Sequence, residues 1–204
     1  MKRISCSLVI LLVAGCGSIH VPQTSFYRLR LPEPTGGVAL PGGRLGIGRT
    51  TLASDLAGDQ LVVRDGAVKL SHYRFHQWAG SLDAMLGDAI TAGLSRSGCF
   101  EDVFPDAIAN EVDYVLDTHV RGFHLVVEDG EWFGEATMEF RLSTPDGVTL
   151  FRQERSARNR AVNGEPEAVV QALSTSVEAL VAGLLGECEQ RGLFARSPAA
   201  EPAR

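Results

Sequence analysis

The feature that most restricts the fold is a long alternation of core-type and polar side chains in the middle of the chain. Apolar residues, with one threonine and one glycine among them, occupy every second position over 112–120 and again over 132–142. Such a period of two belongs to strands with one buried and one solvated face. The phase slips by one residue at Gly122, which is typical of a β-bulge. The pattern therefore predicts a meander of long antiparallel strands that continues from Val148 to Gln153 or beyond.

Two segments in which apolar side chains recur every three or four residues predict amphipathic helices. The first begins after Ser81, a good N-cap, and ends at Gly98, a good helix stop. The second begins near Pro166 and ends at about Arg191. The apolar stripe of the first helix comprises Leu82, Met85, Leu86, Ala89, Ile90, Gly93 and Leu94.

Four short strands are predicted before the first helix, at 26–31, 44–52, 60–64 and 68–75. The dipeptide Asp65-Gly66 between the last two is a hairpin signal. Strands and helices alternate along the chain, without an internal repeat or a second apolar core. We therefore expect a single α+β domain over 26–192, a two-layer sandwich in which two amphipathic helices pack on a mainly antiparallel sheet.

The N-terminus predicts a lipoprotein. Lys2 and Arg3 precede a short apolar run, which is the signature of a secretory signal peptide and is too short to span a bilayer. The run ends in Leu12-Val13-Ala14-Gly15-Cys16, which resembles the lipobox of bacterial lipoproteins. The resemblance implies cleavage of a signal peptide over 1–15, acylation of the Cys16 thiol and a lipidated tether over 16–25. The alternative is an ordinary secreted protein with a chance cysteine near its cleavage site.

The residue after the cysteine bears on the membrane that holds the anchor. In enteric-type bacteria an aspartate at this position favours retention in the inner membrane, whereas this chain has Gly17. We therefore expect the domain to be lipid-anchored at the periplasmic face of the outer membrane, with the inner membrane as the less favoured site.

Charge argues against one class of partner. The full chain has a formal net charge of −6, and removal of Lys2 and Arg3 with the signal peptide makes the mature chain more acidic. A general nucleic-acid binder needs a basic face, so we expect no nucleic-acid partner. Residues 197–204 contain two prolines and no large apolar side chain, and the tail over 193–204 is therefore expected to be disordered.

Two cysteines remain after processing and lipidation. Cys99 and Cys188 would lie in an oxidising compartment, where a disulfide is permitted. They either form a disulfide or are two buried free thiols, and the sequence leaves both readings open.

The sequence contains no recognisable catalytic or cofactor motif. It has no Gly-x-Ser-x-Gly, no phosphate-binding loop, no His-Glu-x-x-His and no Cys-x-x-Cys. His72 and His76 lie four residues apart, but on the predicted strand they would be about 13 Å apart, too far for one metal ion. The acidic residues over 128–135 fit a solvated hairpin tip and match no EF-hand spacing. We expect no enzymatic activity, no cofactor and no metal site.

Several segments together resemble a known family. A lipobox cysteine is followed by an aromatic strand (FYRLR), then by LGIGRTTLAS, by QLVVRDG and by HQWAGSL at the entry to the first helix. This order resembles the ABC-type transport auxiliary lipoproteins, the PqiC-like family. Many members carry an acidic residue and a proline after the Trp-Ala pair, where this chain has Gly80-Ser81. Trp78 of that pair is expected to be a structural anchor between sheet and helix, with its indole N–H hydrogen-bonded nearby.

The resemblance implies a non-enzymatic, periplasmic component of an MCE-type transport system. In such systems a substrate-binding MCE-domain protein, often with an ABC permease and ATPase, moves lipids or other hydrophobic molecules between membranes. The lipoprotein would dock on the MCE protein, and it could also form a homo-oligomer. The alternative is a lipoprotein of outer-membrane assembly or envelope integrity, in a pathway unrelated to MCE transport.

Overall fold

The computed structural model describes residues 23–30, 42–107 and 112–193. Within them, one mixed sheet and two helices form an α+β domain, as the sequence predicts. The strands are β1 (Ser25–Tyr27), β2 (Leu45–Leu52), β3 (Gln60–Asp65), β4 (Lys69–Trp78), β5 (Val103–Phe104), β6 (Tyr114–Glu128), β7 (Glu131–Ser143) and β8 (Thr149–Arg160). The helices are α1 (Leu82–Ser97) and α2 (Pro166–Gln190). The signal peptide, Cys16 and most of the predicted tail lie outside the described residues.

Strand β6 organises the sheet. Along one edge it pairs antiparallel with β7 over its whole length, and β7 in turn pairs antiparallel with β8. This is the predicted meander. The register between β6 and β7 shifts between Val120 and Gly122, so the predicted bulge is confirmed. Beyond it the buried positions change phase, and Phe123 and Leu125 continue the core face that Leu116 and Val120 began.

The other edge of β6 is shared by two shorter strands, both parallel to it. β2 pairs with the first half of β6, and β3 pairs with the second half. β4 then pairs antiparallel with β3 as the predicted hairpin, and β1 pairs parallel with the end of β4. The longest ladders are antiparallel, as expected. The parallel pairs were not predicted, because apolar alternation shows which face of a strand is buried and not which strand lies beside it.

Both helices cover the same face of the sheet. α1 packs on β2, α2 packs on β7 and β8, and the helices contact each other. The buried side chains of both helices and of the inner sheet face form one apolar core. α2 is long and apolar enough to cross a membrane by length and composition alone, but here its apolar side packs against the sheet.

A glycine sets how closely α2 approaches the sheet. A Cβ atom on Gly134 in β7 would collide with the backbone of Ala172 and Leu173 in α2. At the same place the Ser176 hydroxyl donates a 2.8 Å hydrogen bond to the Gly134 carbonyl oxygen. The glycine therefore brings the helix backbone and the strand into direct contact, which a larger residue would prevent.

Several element bounds differ from the prediction. β1 ends at Tyr27 rather than near residue 31, and β8 extends to Arg160. β4 runs to Trp78 rather than to residue 75, so Gln77 and Trp78 are the last residues of the strand. Ser81 and Gly98 do occupy the cap positions of α1, with Gly98 in the left-handed conformation at φ 67°.

Candidate functional site

Trp78 is buried where β4 leads to α1, and its role as a structural anchor stays a prediction. Its side chain is 3% exposed, and its ring packs on that of Phe123 with the centroids 5.6 Å apart. Because Trp78 ends β4 just before α1 begins, it fills the space between sheet and helix. The acceptor expected for its indole N–H is not found among the described residues.

Cys99 and Cys188 are both free thiols in the structure. Cys188 lies near the end of α2 and is buried, while Cys99 follows the end of α1 and is half-buried. Burial, with smaller contributions from the nearby Glu187 and Cys99, raises the pKa of the Cys188 thiol to about 12. Cys188 is therefore a protonated, unreactive thiol at neutral pH. The disulfide between the two remains a prediction.

His76 of β4 lies in an aromatic cluster that ties four elements together, namely β1, β4, β7 and α2. The Tyr27 hydroxyl shares a 2.7 Å hydrogen bond with His76 Nδ1 and lies 3.4 Å from Glu167 Oε1 at the start of α2. The Tyr73 ring contacts His76 edge-on and stacks on Trp132. His72, by contrast, is exposed. Among the described residues no group of three metal-binding side chains comes together.

His124 is the buried histidine of the domain. It is 8% exposed, and its Nε2 lies 3.4 Å from Asp55 Oδ2. Burial lowers the pKa of His124, an effect that the Asp55 carboxylate only partly offsets. The neutral imidazole therefore anchors the 3₁₀ turn Ser54–Leu56 to the sheet.

The face of β6, β7 and β8 that points away from the helices, which we call the open face, is covered with ion pairs. Glu139 contacts Arg121 at 2.7 Å and Arg152 at 2.8 Å, and Arg121 also contacts Glu154 at 2.8 Å. The hydrogen bond from Arg121 lowers the pKa of Glu139. The carboxylates in ion pairs on this face are Asp117, Glu128, Glu131, Glu135, Glu139 and Glu154. The charges of the open face therefore largely neutralise one another.

The exposed side of α1 is different. Three depressions surround it, with volumes of about 670, 420 and 220 Å³. We call these three depressions and the helix side between them the α1 surface. The largest depression lies at the connection between β4 and α1. Its apolar lining consists of Leu52, Ala57, Trp78, Ala79 and Leu82.

Carboxylates without partners line the α1 surface. Asp59 and Asp83 line the largest depression, and Asp83 and Asp88 line the smallest. None of the three carboxylates has an ion pair or side-chain hydrogen bond within the described residues. Neither of these two depressions has a lysine or arginine in its lining. In these two depressions the α1 surface thus combines an apolar floor with uncompensated negative charge, whereas Arg28 and Arg96 line the third depression together with Asp88.

The third depression lies on the opposite flank of α1. It lies between the helix and Arg28 and Leu29, which follow β1. Met85 and Ala89 of α1 line it, although the sequence predicted both for the buried stripe. They are only half-buried, because the sheet and α2 cover a narrower strip of α1 than its apolar pattern would allow. The fold thus leaves part of the amphipathic face of α1 uncovered, and a patch of this kind is typical of an interaction surface.

Sequence reasoning missed this surface. The apolar pattern of α1 is indistinguishable from that of a fully packed helix, and the position of Asp59 beside the helix depends on the loop after β2. The signal that could have pointed to it is a small or charged residue beside the apolar stripe of α1, as at Ala84 and Asp88, both of which are exposed.

The chain matches a known family and known structures. A family model described as "ABC-type transport auxiliary lipoprotein component" matches residues 27–184. The crystal structure of protein XCC0632 from Xanthomonas campestris is similar, with a TM-score of 0.69 and 18% identity over 82% of this chain and 96% of that one. A crystal structure of an uncharacterized protein gives a TM-score of 0.66 and 20% identity over 81% and 99% of the two chains. No curated protein matches the sequence.

Proposed function

Because the chain belongs to the family of ABC-type transport auxiliary lipoprotein components, we propose that it is the membrane-anchored periplasmic auxiliary protein of an MCE-type ABC transport system. Such a system would move lipids or other hydrophobic molecules between the inner and outer membranes. In this role the protein catalyses no reaction. It is held to the outer membrane through Cys16 and docks on the MCE-domain protein.

The observation that carries the docking role is the α1 surface. Its largest depression has a volume of about 670 Å³ and an apolar floor that includes Trp78. The unpaired carboxylates of Asp59, Asp83 and Asp88 lie beside this floor or next to it along α1. An unpaired carboxylate in water costs little. Beside an apolar depression, however, it favours a partner whose cationic group arrives together with apolar side chains.

The chemistry of the docked segment follows from this surface. We expect the MCE-domain protein to present apolar side chains to the depression beside Trp78 and lysine or arginine side chains to the aspartates. The open face offers no comparable site, because its carboxylates are already paired with arginines of the same chain.

The experiment is affinity purification of the tagged, full-length lipoprotein from envelope membranes, with the co-purified proteins identified by mass spectrometry. The wild type should recover an MCE-domain protein. The double variant Asp59→Lys/Asp88→Lys should recover at least about tenfold less, since two attractive contacts become repulsive. These two positions spare Asp83, whose charge in the first turn also stabilises the helix.

The matched control is Glu101→Lys/Glu189→Lys, which changes the net charge equally at two exposed carboxylates without an ion pair outside the three depressions and should leave recovery unchanged. Equal losses in both double variants would show a general charge effect and contradict docking at the α1 surface. Recovery of only outer-membrane assembly or envelope-integrity factors by the wild type would contradict the MCE role and favour the alternative pathway.

A further inference from the structure

We infer that one end of the sheet rests against the lipid surface that holds the anchor, with Val68 and Val162 as its contact residues. This end, which we call the turn end, is formed by the turn 66–68 between β3 and β4, the turn 129–130 between β6 and β7, and the loop 161–165 between β8 and α2. The inference rests on the proposed attachment through Cys16 and adds an orientation to it.

The register of the sheet brings these three connections together. Val127 pairs with Asp65 of β3 on one side and with Trp132 of β7 on the other. The Ala161 amide N–H donates a 2.8 Å hydrogen bond to the Trp132 carbonyl oxygen. The ends of β3, β6 and β8 and the start of β7 therefore lie at the same level, and Val68 and Val162 extend beyond it.

Three of the five large apolar side chains that are exposed among the described residues lie at the turn end, and the other two are Phe26 and Val148. Val68 is 92% exposed and Val162 is 93% exposed, and Leu70 beside Val68 is 43% exposed. Behind them the half-buried rings of Tyr73 and Trp132 stack with their centroids 6.5 Å apart. Apolar side chains at loop tips with Tyr and Trp just behind them match the layering of a membrane interface, where amphipathic rings lie at headgroup level.

The direction in which the chain enters the domain points the same way. β1 is parallel to β4, with Ser25 beside His76, so the chain before Ser25 approaches from the side of β4 that begins at the turn end. By the same register Gln23 lies level with Arg74, five residues along β4 from Lys69. Five strand residues span about 17 Å, which is the distance the chain must cover from Gln23 to the turn end. Six residues lie between Cys16 and Gln23, and the seven Cα–Cα steps that join the two can span at most about 25 Å. The tether is thus long enough for the anchor to lie at the turn end.

Charge at the turn end indicates which kind of lipid surface it fits. Lys69 pairs with Asp65 at 2.7 Å, Arg160 pairs with Glu131 at 2.6 Å, and Arg158 pairs with Glu128. Asp129 and Glu165 at this end are in no ion pair within the described residues, so the turn end carries a net negative charge and does not attract anionic headgroups. The occupant is therefore a zwitterionic phospholipid surface, not a strongly anionic one.

The test places a tryptophan at each end of the sheet and measures quenching by brominated lipid. The full lipoprotein, purified from membranes with its anchor, is reconstituted into phosphatidylcholine–phosphatidylethanolamine vesicles that contain phosphatidylcholine brominated on its acyl chains. Val162→Trp reports on the turn end. Val148→Trp is the matched control, because Val148 is also exposed, at 57%, but lies in the turn between β7 and β8 at the opposite end.

The native Trp78 and Trp132 are present in both variants, so their emission cancels in the comparison with wild type. We expect the added emission of Val162→Trp to be quenched several-fold more strongly than that of Val148→Trp. Equal quenching, or stronger quenching at 148, in protein whose Cys16 is shown by mass spectrometry to be acylated would overturn the orientation while leaving the proposed function intact. Cys16 without acyl chains would overturn the anchor, and the orientation with it.

Discussion

The two helices of the domain differ in how much of their surface the fold covers. α2 buries 12 of its 25 residues, including Leu173 and Val177, across a broad face. α1 buries four of its 16 residues, Leu82, Leu86, Ile90 and Leu94, which form one narrow row at four-residue spacing. A helix that buries a broad face derives its stability from packing, whereas a helix that buries one row leaves apolar and charged surface available for another molecule.

The polar groups around the two helices follow the same division. On α2, Glu187 is paired with both Arg155 and Arg191, and Ser176 is bonded to β7. Around α1, Asp59, Asp83 and Asp88 have no partner within the described residues. α2 is therefore the structural helix of the domain, and α1 is the helix that we assign to docking.

Truncation of one large side chain on each helix should have the most unequal effect. Leu173→Ala on α2 removes a fully buried side chain and should lower the free energy of unfolding by about 2–5 kcal/mol. Met85→Ala on α1 removes a half-buried side chain and should cost about 1 kcal/mol or less. Urea unfolding of the mature chain, followed by circular dichroism, measures both. Equal costs would mean that α1 is packed as α2 is.

The next largest effect on stability is expected from adding a side chain at Gly134, where α2 and β7 are in contact. A methyl group at Gly134 would collide with the α2 backbone, so Gly134→Ala should cost about 1–3 kcal/mol through displacement of the helix. The same substitution at Gly186, where an added Cβ meets nothing within 4 Å, should instead stabilise α2 by about 0.5–1 kcal/mol. Unchanged or increased stability of Gly134→Ala in the same unfolding assay would contradict the close approach of α2 to β7.

The smallest expected effect is a pH-dependent one on α2. Burial raises the pKa of the Glu178 carboxyl, so folding favours its protonated form. The protonated carboxyl therefore contributes favourably to the free energy of unfolding below the unfolded-state pKa, near 4.3. This contribution is lost as the pH rises through the folded-state pKa. Glu178→Gln should raise the unfolding free energy at pH 7 and give no gain at pH 4. A gain of equal size at both pH values would show that the carboxylate charge is not its cause.

The sequence predicted the parts of the fold that depend on periodicity. The meander, the bulge at Gly122, the β3–β4 hairpin and the caps of α1 are local patterns, and the structure confirms them. The parallel pairing of β6 with β2 and β3 is not a local property, since it depends on where the connections through α1 return the chain. Sequence alone therefore gave the layers but not the order of the strands.

The candidate surface was harder to predict for a related reason. The stripe on α1 includes Met85 and Ala89, and whether they are buried depends on how far α2 and the sheet extend over the helix. The unpaired state of Asp59 and Asp88 is likewise visible only when the surrounding arginines have been placed. Trp78, in contrast, was assigned a structural role from its position before a helix, and its burial agrees with that role.

Site-specific photocrosslinking in cells tests the division between the helices most directly. A photoreactive amino acid would replace Ala84 on α1 or Ala179 on α2, two alanines that are both exposed and differ in the helix that carries them. We predict crosslinks from position 84 to an MCE-domain protein and none from position 179. Crosslinks to that protein from 179 but not from 84 would contradict docking at the α1 surface.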